Sequence, residues 1–208
     1  MILQKNGAEN KENIRIAFIY TMGEYVVPQL INKYSLSPEC HNVTFSFTQG
    51  TSLTLLQELK AGEADTVIIA GMGGELMLRI LRDGAHMYDS VKHYVLSPQS
   101  ELSAFRHGLE KLGISILEEQ MLMDEGKYYV ILHAAPGSMH YEQEYEYRYG
   151  SDLIRKQDPV LREFLERELA QGEELLAHLS LTQTEGAQKR AESLRQELNE
   201  TKEAYHAL

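Results

Sequence analysis

Asp65-Thr-Val-Ile-Ile-Ala-Gly71-Met72-Gly73-Gly74-Glu75 is the stretch on which the fold turns. Its apolar run, Val67–Ala70, is short, rich in β-branched side chains and closed by glycine, which reads as a strand buried on both faces. The glycines allow a tight turn, and Glu75–Leu81 continues with helical spacing. A strand, a glycine loop and a helix in that order bring backbone close to a ligand and aim free helix amides at its polar groups. The same loop also suits a strand-to-helix turn that binds nothing.

The same grammar repeats on either side. Candidate strands are Ile14–Tyr20, Val43–Thr48, Thr66–Ala70, Val91–Leu96, Ile114–Met121 and Tyr128–Ala134. Candidate helices at Tyr25–Tyr34, Ser52–Ala61, Glu75–Leu81 and Glu101–Leu112 fall between the first five of them. Thr51 or Ser52 caps the second helix ahead of Leu53, Leu55, Leu56 and Leu59, which follow at core spacing. Asp124-Glu125-Gly126-Lys127 joins the last two strands as a hairpin turn, so that pair is antiparallel. Alternating strands and helices with an antiparallel edge give a doubly wound α/β sheet of about six strands. Tyr141, Tyr145, Tyr147 and Tyr149 then alternate with charged residues, as a solvated extension strand would.

From Ser151 the pattern changes to long helices. Ala187, Ala191, Leu194, Leu198, Thr201, Tyr205 and Leu208 step by four and three residues, the mark of a coiled-coil seam. Leu161, Leu165, Leu169, Leu176 and Leu179 supply the partner helix, Gly172 leaves a gap in it, and Thr182–Gly186 is the break between the two. Residues 151–208 are therefore expected to form an antiparallel helical hairpin that projects from the sheet and is held mainly by its own seam. Pro159 near its start costs no helical hydrogen bond. Residues 14–150 make up the sheet domain, and 1–13 a frayed, disordered leader.

Composition narrows the setting. Of 208 residues, 43% are hydrophobic and 25% charged, enough to bury a core. No apolar run approaches the roughly 20 residues of a bilayer span, and Met1–Asn13 has no apolar core of a secretory signal. The single cysteine, Cys40, allows no internal disulfide, and neither it nor the eight histidines show metal-ligand spacing; His107, His133 and His140 read as surface or hairpin residues. No membrane and no metal are expected, and a cytoplasmic location fits. With 20 Lys and Arg against 31 Asp and Glu, the net charge is −11, which opposes bulk attraction to nucleic acid. Arg155, Lys156, Arg162, Arg167, Lys189 and Arg190 lie among glutamates and read as a solvated face rather than an RNA stripe.

Two resemblances follow from longer strings. Ala-Gly-Met-Gly-Gly at 70–74, Leu96-Ser97-Pro98-Gln99-Ser100, Asp124-Glu-Gly-Lys-Tyr-Tyr129 and Tyr147-Arg-Tyr-Gly150 occur in the order found in bacterial tRNA (adenine-22-N1) methyltransferases, so residues 62–208 resemble that family. The resemblance implies a Rossmann-like S-adenosylmethionine domain, a C-terminal coiled coil and a tRNA substrate. Arg15-Ile-Ala-Phe-Ile-Tyr-Thr21, Val27-Pro28-Gln-Leu30, Thr48-Gln-Gly-Thr-Ser52 and Leu59-Lys-Ala-Gly62-Glu-Ala-Asp65 instead resemble the opening of the effector-binding domain of LysR-type transcriptional regulators. That second resemblance implies a chimera joined within Glu58–Ile69, with strands ordered 2-1-3-4-6-5. It also brings in a small anionic ligand as an alternative partner.

The site expectations follow from both. Gly71, Met72, Gly73 and Gly74, with Thr21 and Gly23 after the first strand, are the cofactor-side candidates. Ser97, Pro98 and Gln99, at the carboxyl end of the fourth strand, are the substrate-side candidates. Gln99 offers an adenine edge one donor and one acceptor, and it also fits an exposed turn residue. Met72 lines a pocket or caps the core, and the hydroxyls of Thr21, Thr51 and Ser52 bind an anion or cap helices. No side chain stands out as a catalytic base. Strand one ends in Tyr20-Thr21-Met22-Gly23 and strand two in Thr48-Gln49-Gly50, where a methyltransferase carries a glycine-rich loop and a ribose-binding carboxylate. The expectation is a protein derived from a tRNA adenine-N1 methyltransferase with impaired or absent activity. The alternative is a chimera without enzymatic activity, structural or binding a small anion.

Overall fold

The computed structural model describes residues 12–19, 43–50, 66–85, 91–182 and 184–208. The chain divides into two compact units, residues 1–68 with 87–93, and residues 69–86 with 94–208. In the first unit, β1 (Glu12–Ile19) and β2 (Val43–Gly50) pair in parallel, with register running from Glu12 opposite Val43 to Ile19 opposite Gly50. A parallel pair needs a long crossover, consistent with the alternating pattern of the sequence. The expected helices Tyr25–Tyr34 and Ser52–Ala61, and almost all of the leader, lie outside the described residues.

Four further strands form one mixed sheet: β3 (Thr66–Met72), β4 (His93–Pro98), β5 (Ile114–Asp124) and β6 (Lys127–Pro136), in the order β3-β4-β6-β5. That order is the one expected for the last four strands. The described strands form a two-stranded and a four-stranded sheet, and the single six-stranded sheet is not among the described pairings. In β3 only Ile69 is buried, and Val67, Ile68 and Ala70 are half-buried. This corrects the expectation of a strand buried on both faces, and it suits a strand that ends the four-stranded order.

The β5–β6 connection is as expected. Glu125 and Gly126 both take positive φ, 48° and 79°, and Asp124 pairs with Lys127, the geometry of a two-residue turn that matches strand twist. A register shift between Ile116 and Glu118 interrupts β5. It leaves Leu117 exposed and turns Glu119 inward, as a bulge re-aims side chains. Beyond it, Met121 on β5 and Val130, Leu132 and Ala134 on β6 keep the period-two alternation of a half-buried sheet.

Helices α1 (Gly74–Asp83) and α2 (Leu102–Lys111) follow β3 and β4. They bury Met77, Leu78 and Leu81, and Phe105 and Leu109, at three- and four-residue spacing. The tyrosine-rich stretch is a helix, α3 (Glu144–Tyr149), which corrects the solvated strand. A capping box decides it: the Gln143 side chain accepts from the Glu146 amide while the Glu146 carboxylate accepts from the Gln143 amide. Tyr147 and Tyr149 are buried on either side of that turn.

A short α4 (Ser151–Arg155) leads into α5 (Pro159–Ser180) and α6 (Glu185–Ala207). Pro159 is the first residue of α5, and Asp158 Oδ1 accepts from the amides of Val160 and Leu161 at 2.9 Å each. Thr184 caps α6 through the Ala187 amide. Ala187, Ala191, Leu194, Leu198, Thr201 and Leu208 are buried, as the seam requires, while Tyr205 is only half-buried and Ala204 is buried beside it. Gly172 is no gap: a Cβ there would lie 2.5 Å from Leu198 Cδ2, so the bare glycine is the socket for that leucine. The base of the hairpin is also anchored to the residues before it, since the Tyr149 hydroxyl bonds Thr201 and Arg148 bonds Glu200. It does not stand on its seam alone.

Candidate functional site

The carboxyl ends of β3 and β4 lie side by side, and their loops are stitched together. The Gln99 amide donates to the Met72 carbonyl at 3.0 Å, and the Gly74 amide to the Ser100 carbonyl at 3.2 Å. Glu101, at φ 60°, swings its carboxylate back to accept from the Glu75 amide at 3.1 Å. The positive end of α1 is thereby occupied by a side chain of the next loop. Gly73 and Gly74 are needed for this contact, because Cβ atoms there would meet Ser100 Oγ and Ser100 O at 2.8 Å. Gly71 differs: at φ 78° it is exposed, with no heavy atom within 4 Å of the place a Cβ would take. Gly71 thus leaves its backbone open among the described residues, whereas Gly73 and Gly74 pack against the Ser100 loop.

Beside the stitched loops a cleft of about 730 Å³ opens between β4, the β5–β6 hairpin, α3 and the helical hairpin. Pro98, buried, and Gln99, exposed, stand on one wall. Tyr128, Tyr149 and Phe164 give it aromatic surface. Ser97 is half-buried on β4 and, like the glycine loop, is not part of the lining. Thr21 and Gly23 lie outside the described residues.

Arg148 reaches into the cleft from α3. Its guanidinium bonds Glu200 on α6 at 3.0 Å and lies 5.2 Å from the centre of the Tyr149 ring. The Tyr149 hydroxyl donates to Glu168 at 2.8 Å and sits 2.8 Å from Thr201 Oγ1. Burial, then the Glu168 charge, push this phenol above its usual range, so it remains a donor.

The backbone that carries Arg148 and Tyr149 is fixed from behind by an ion pair that the sequence reading missed. Arg106 and Glu119 are both fully buried, with Arg106 Nε 2.8 Å from Glu119 Oε1. Arg106 Nη1 also donates to the carbonyls of Tyr147 at 2.8 Å and Arg148 at 3.1 Å, closing the end of α3. Gly150, at φ 101°, lies against the pair, and its Cβ would be 2.8 Å from Glu119 Cδ. The Glu119 amide donates to Asp152 at 2.8 Å. Burial raises the Asp152 carboxyl, but hydrogen bonds from Lys156, the Glu119 amide and Arg155 outweigh it and hold that group below its ordinary range. The one sequence signal was a glutamate pair, Glu118 and Glu119, inside an apolar strand.

The histidines at this end of the sheet are engaged with carboxylates. His107 bonds Glu144 at 3.0 Å and stacks on Tyr147 at 3.7 Å between ring centres, and His140 bonds Glu110 at 2.8 Å. No metal-holding cluster occurs among the described residues. Cations near and along the hairpin are neutralised in place, Lys156 by Asp152 and Glu118, Lys189 by Glu185, and Arg190 by Glu197. Among the described residues, no helix is long and apolar enough to cross a membrane.

The described strands and helices form an α/β fold with a helical hairpin appended. A family model described as TrmK, tRNA (adenine(22)-N(1))-methyltransferase, matches residues 40–203. The chain belongs to that family. It is 33% identical over 110 residues to the tRNA (adenine(22)-N(1))-methyltransferase of Bacillus subtilis strain 168, a match covering 53% of this chain and 45% of the relative. The match thus spans under half the length of that curated relative. Among solved structures, the B. subtilis m1A22 tRNA methyltransferase TrmK is 25% identical, with TM-score 0.62 over 77% of this chain and 70% of that one. A Streptococcus pneumoniae protein solved with S-adenosyl-L-methionine shares the fold at 22% identity, with TM-score 0.63 over 94% of this chain and 82% of that one.

The family match begins inside the stretch that resembles the regulator domain. Residues 40–58 therefore go with the methyltransferase family, and the junction at Glu58–Ile69 is withdrawn. The comparisons support neither a chimera with a LysR-type regulator nor a small anionic ligand.

Proposed function

We propose that this chain methylates adenine N1 in tRNA, using S-adenosylmethionine that it binds weakly, and that the purine enters the cleft against Pro98 and Gln99. The observation that carries the reading is the stitched pair of loops, which holds Gln99 at the cleft mouth with its backbone tied to Met72. There the Gln99 amide can pair with an adenine edge, and Tyr128 or Phe164 can stack on its face. N1 carries an available lone pair, so the protein supplies orientation and exclusion of water rather than a base.

S-adenosylmethionine, when bound, supplies a methyl group on a positively charged sulfur. Gly71 gives it backbone to approach, with Met72 beside it, while Thr21 and Gly23 stand for the methionine side. The weakness has its source in the sequence, since β2 closes on Thr48-Gln49-Gly50 with no carboxylate for the ribose hydroxyls. Each missing charge-assisted bond is worth about 1.5–3 kcal/mol.

The test is transfer of labelled methyl to a tRNA transcript as S-adenosylmethionine is raised into the millimolar range, alongside a second transcript in which guanine replaces the target adenine. A rate that keeps climbing, and that is lost with the guanine-substituted transcript, is expected. Saturation at low micromolar cofactor would overturn the weak-binding part. Absence of transfer at every concentration would overturn the enzyme reading.

A further inference from the structure

The cleft that the proposed function uses has an uneven charge. Glu101, Glu144, Glu168, Glu197 and Glu200 line it, with Arg148 the one cation among its described lining residues. A phosphate would be repelled there, and a cation gains, chiefly beside Glu168 and Glu200, since Glu101 already accepts from the Glu75 amide, Glu144 from Ser103 and Glu197 from Arg190.

Arg148 already shows how a flat cation sits in this space. Its guanidinium lies 5.2 Å from the Tyr149 ring centre and 3.0 Å from Glu200. Tyr149 is fixed underneath by its bond to Glu168, so α3 supplies an aromatic floor and the helical hairpin a carboxylate wall. Aromatic floor and acidic wall together are how proteins hold organic cations.

Methylation at N1 makes such a cation. The N1 lone pair forms the new nitrogen–carbon bond, the donor's carbon–sulfur bond breaks with its electrons passing to sulfur, and the positive charge arrives on the purine. There it spreads over N1, C6 and N6, an amidinium as planar and delocalised as a guanidinium. We infer that the Tyr149–Glu168–Glu200 corner is a subsite that the N1-methylated adenine takes after transfer, apart from its reacting position at Gln99, and that Arg148 is its built-in stand-in, displaced when the charged base is present. This inference rests on the methyltransferase reading.

Calorimetric titration of the full chain with adenosine and with 1-methyladenosine at pH 7 tests it without cofactor or activity. 1-Methyladenosine is expected to bind about tenfold tighter than adenosine, the scale of one desolvated cation–π contact. The ratio should fall toward one in E168Q/E200Q, and R148A should raise the affinity for 1-methyladenosine alone by removing the resident competitor. Equal binding of the two nucleosides, no heat from either at millimolar concentration, or a ratio untouched by E168Q/E200Q would overturn the inference. E200Q alone, at a partly exposed position, provides a second variant if the double one melts early. Charge preference without methyl transfer would fault only the enzyme reading, and transfer without charge preference only this subsite.

Discussion

Gly150 shows how one residue can be legible as a letter and not as a cause. Tyr147-Arg148-Tyr149-Gly150 carries part of the family likeness, yet nothing in the string announces that Arg106 and Glu119 meet behind it. Pairing across 13 residues, through a bulge, is a tertiary fact that helical and strand periodicities do not contain. The structure gives all four residues work. Tyr147 stacks on His107, Arg148 and Tyr149 enter the cleft, and Gly150 leaves room for the ion pair. Removing one partner of a buried pair strands the other charge, so Arg106→Met or Glu119→Leu alone should cost about 3–5 kcal/mol, and the double variant clearly less. Gly150→Ala should resemble the single variants, since it combines an unfavourable φ with a collision. Urea unfolding of the set checks this; equal stability of single and double variants would show that the pair is not coupled.

Among the elements, the β5–β6 hairpin was the most legible, because Glu125-Gly126 states its turn in two residues. The α6 seam was legible for the same reason of local period. Helix α3 was not: its tyrosines alternate, and the capping box at Gln143 and Glu146 outweighs an alternation of three residues. The meaning of Gly172 was inverted, since a seam read in one helix shows a missing side chain but not the neighbour that fills its place. Leu198→Ala should therefore cost about 2–4 kcal/mol. Gly172→Ala should also destabilise, by driving a methyl into Leu198, and the G172A/L198A double variant should lose less than the two single losses added together. Strict additivity in thermal or denaturant melts would contradict the socket. Because Tyr149 and Arg148 are bound to the same hairpin, these losses should also perturb the cleft, contrary to a tail that folds independently.

At the scale of the whole molecule, the alternation of strands and helices was enough to give the α/β class, and the order β3-β4-β6-β5 came with the family resemblances. Of the residues read from the sequence as a site, Pro98 and Gln99 line the cleft, whereas Ser97 and Gly71–Gly74 do not. The glycines after Met72 serve packing, and the aromatic and acidic wall comes from helices read only as a scaffold. A net charge of −11 opposes attraction to phosphate, and the proposed function accordingly uses the cleft for a base. Gln99 is where that account is most exposed. Its side chain lies at the cleft mouth, and its structural tie runs through its backbone amide, so Gln99→Ala tests the proposed adenine contact and leaves the stitching in place. The deciding measurement is kcat/KM for tRNA methylation by wild type and Gln99→Ala, with cofactor affinity followed in parallel. A loss of roughly tenfold or more, with cofactor binding unchanged, is predicted for one lost hydrogen-bonding amide. An unchanged kcat/KM, or a wild type that transfers no methyl group, would contradict it.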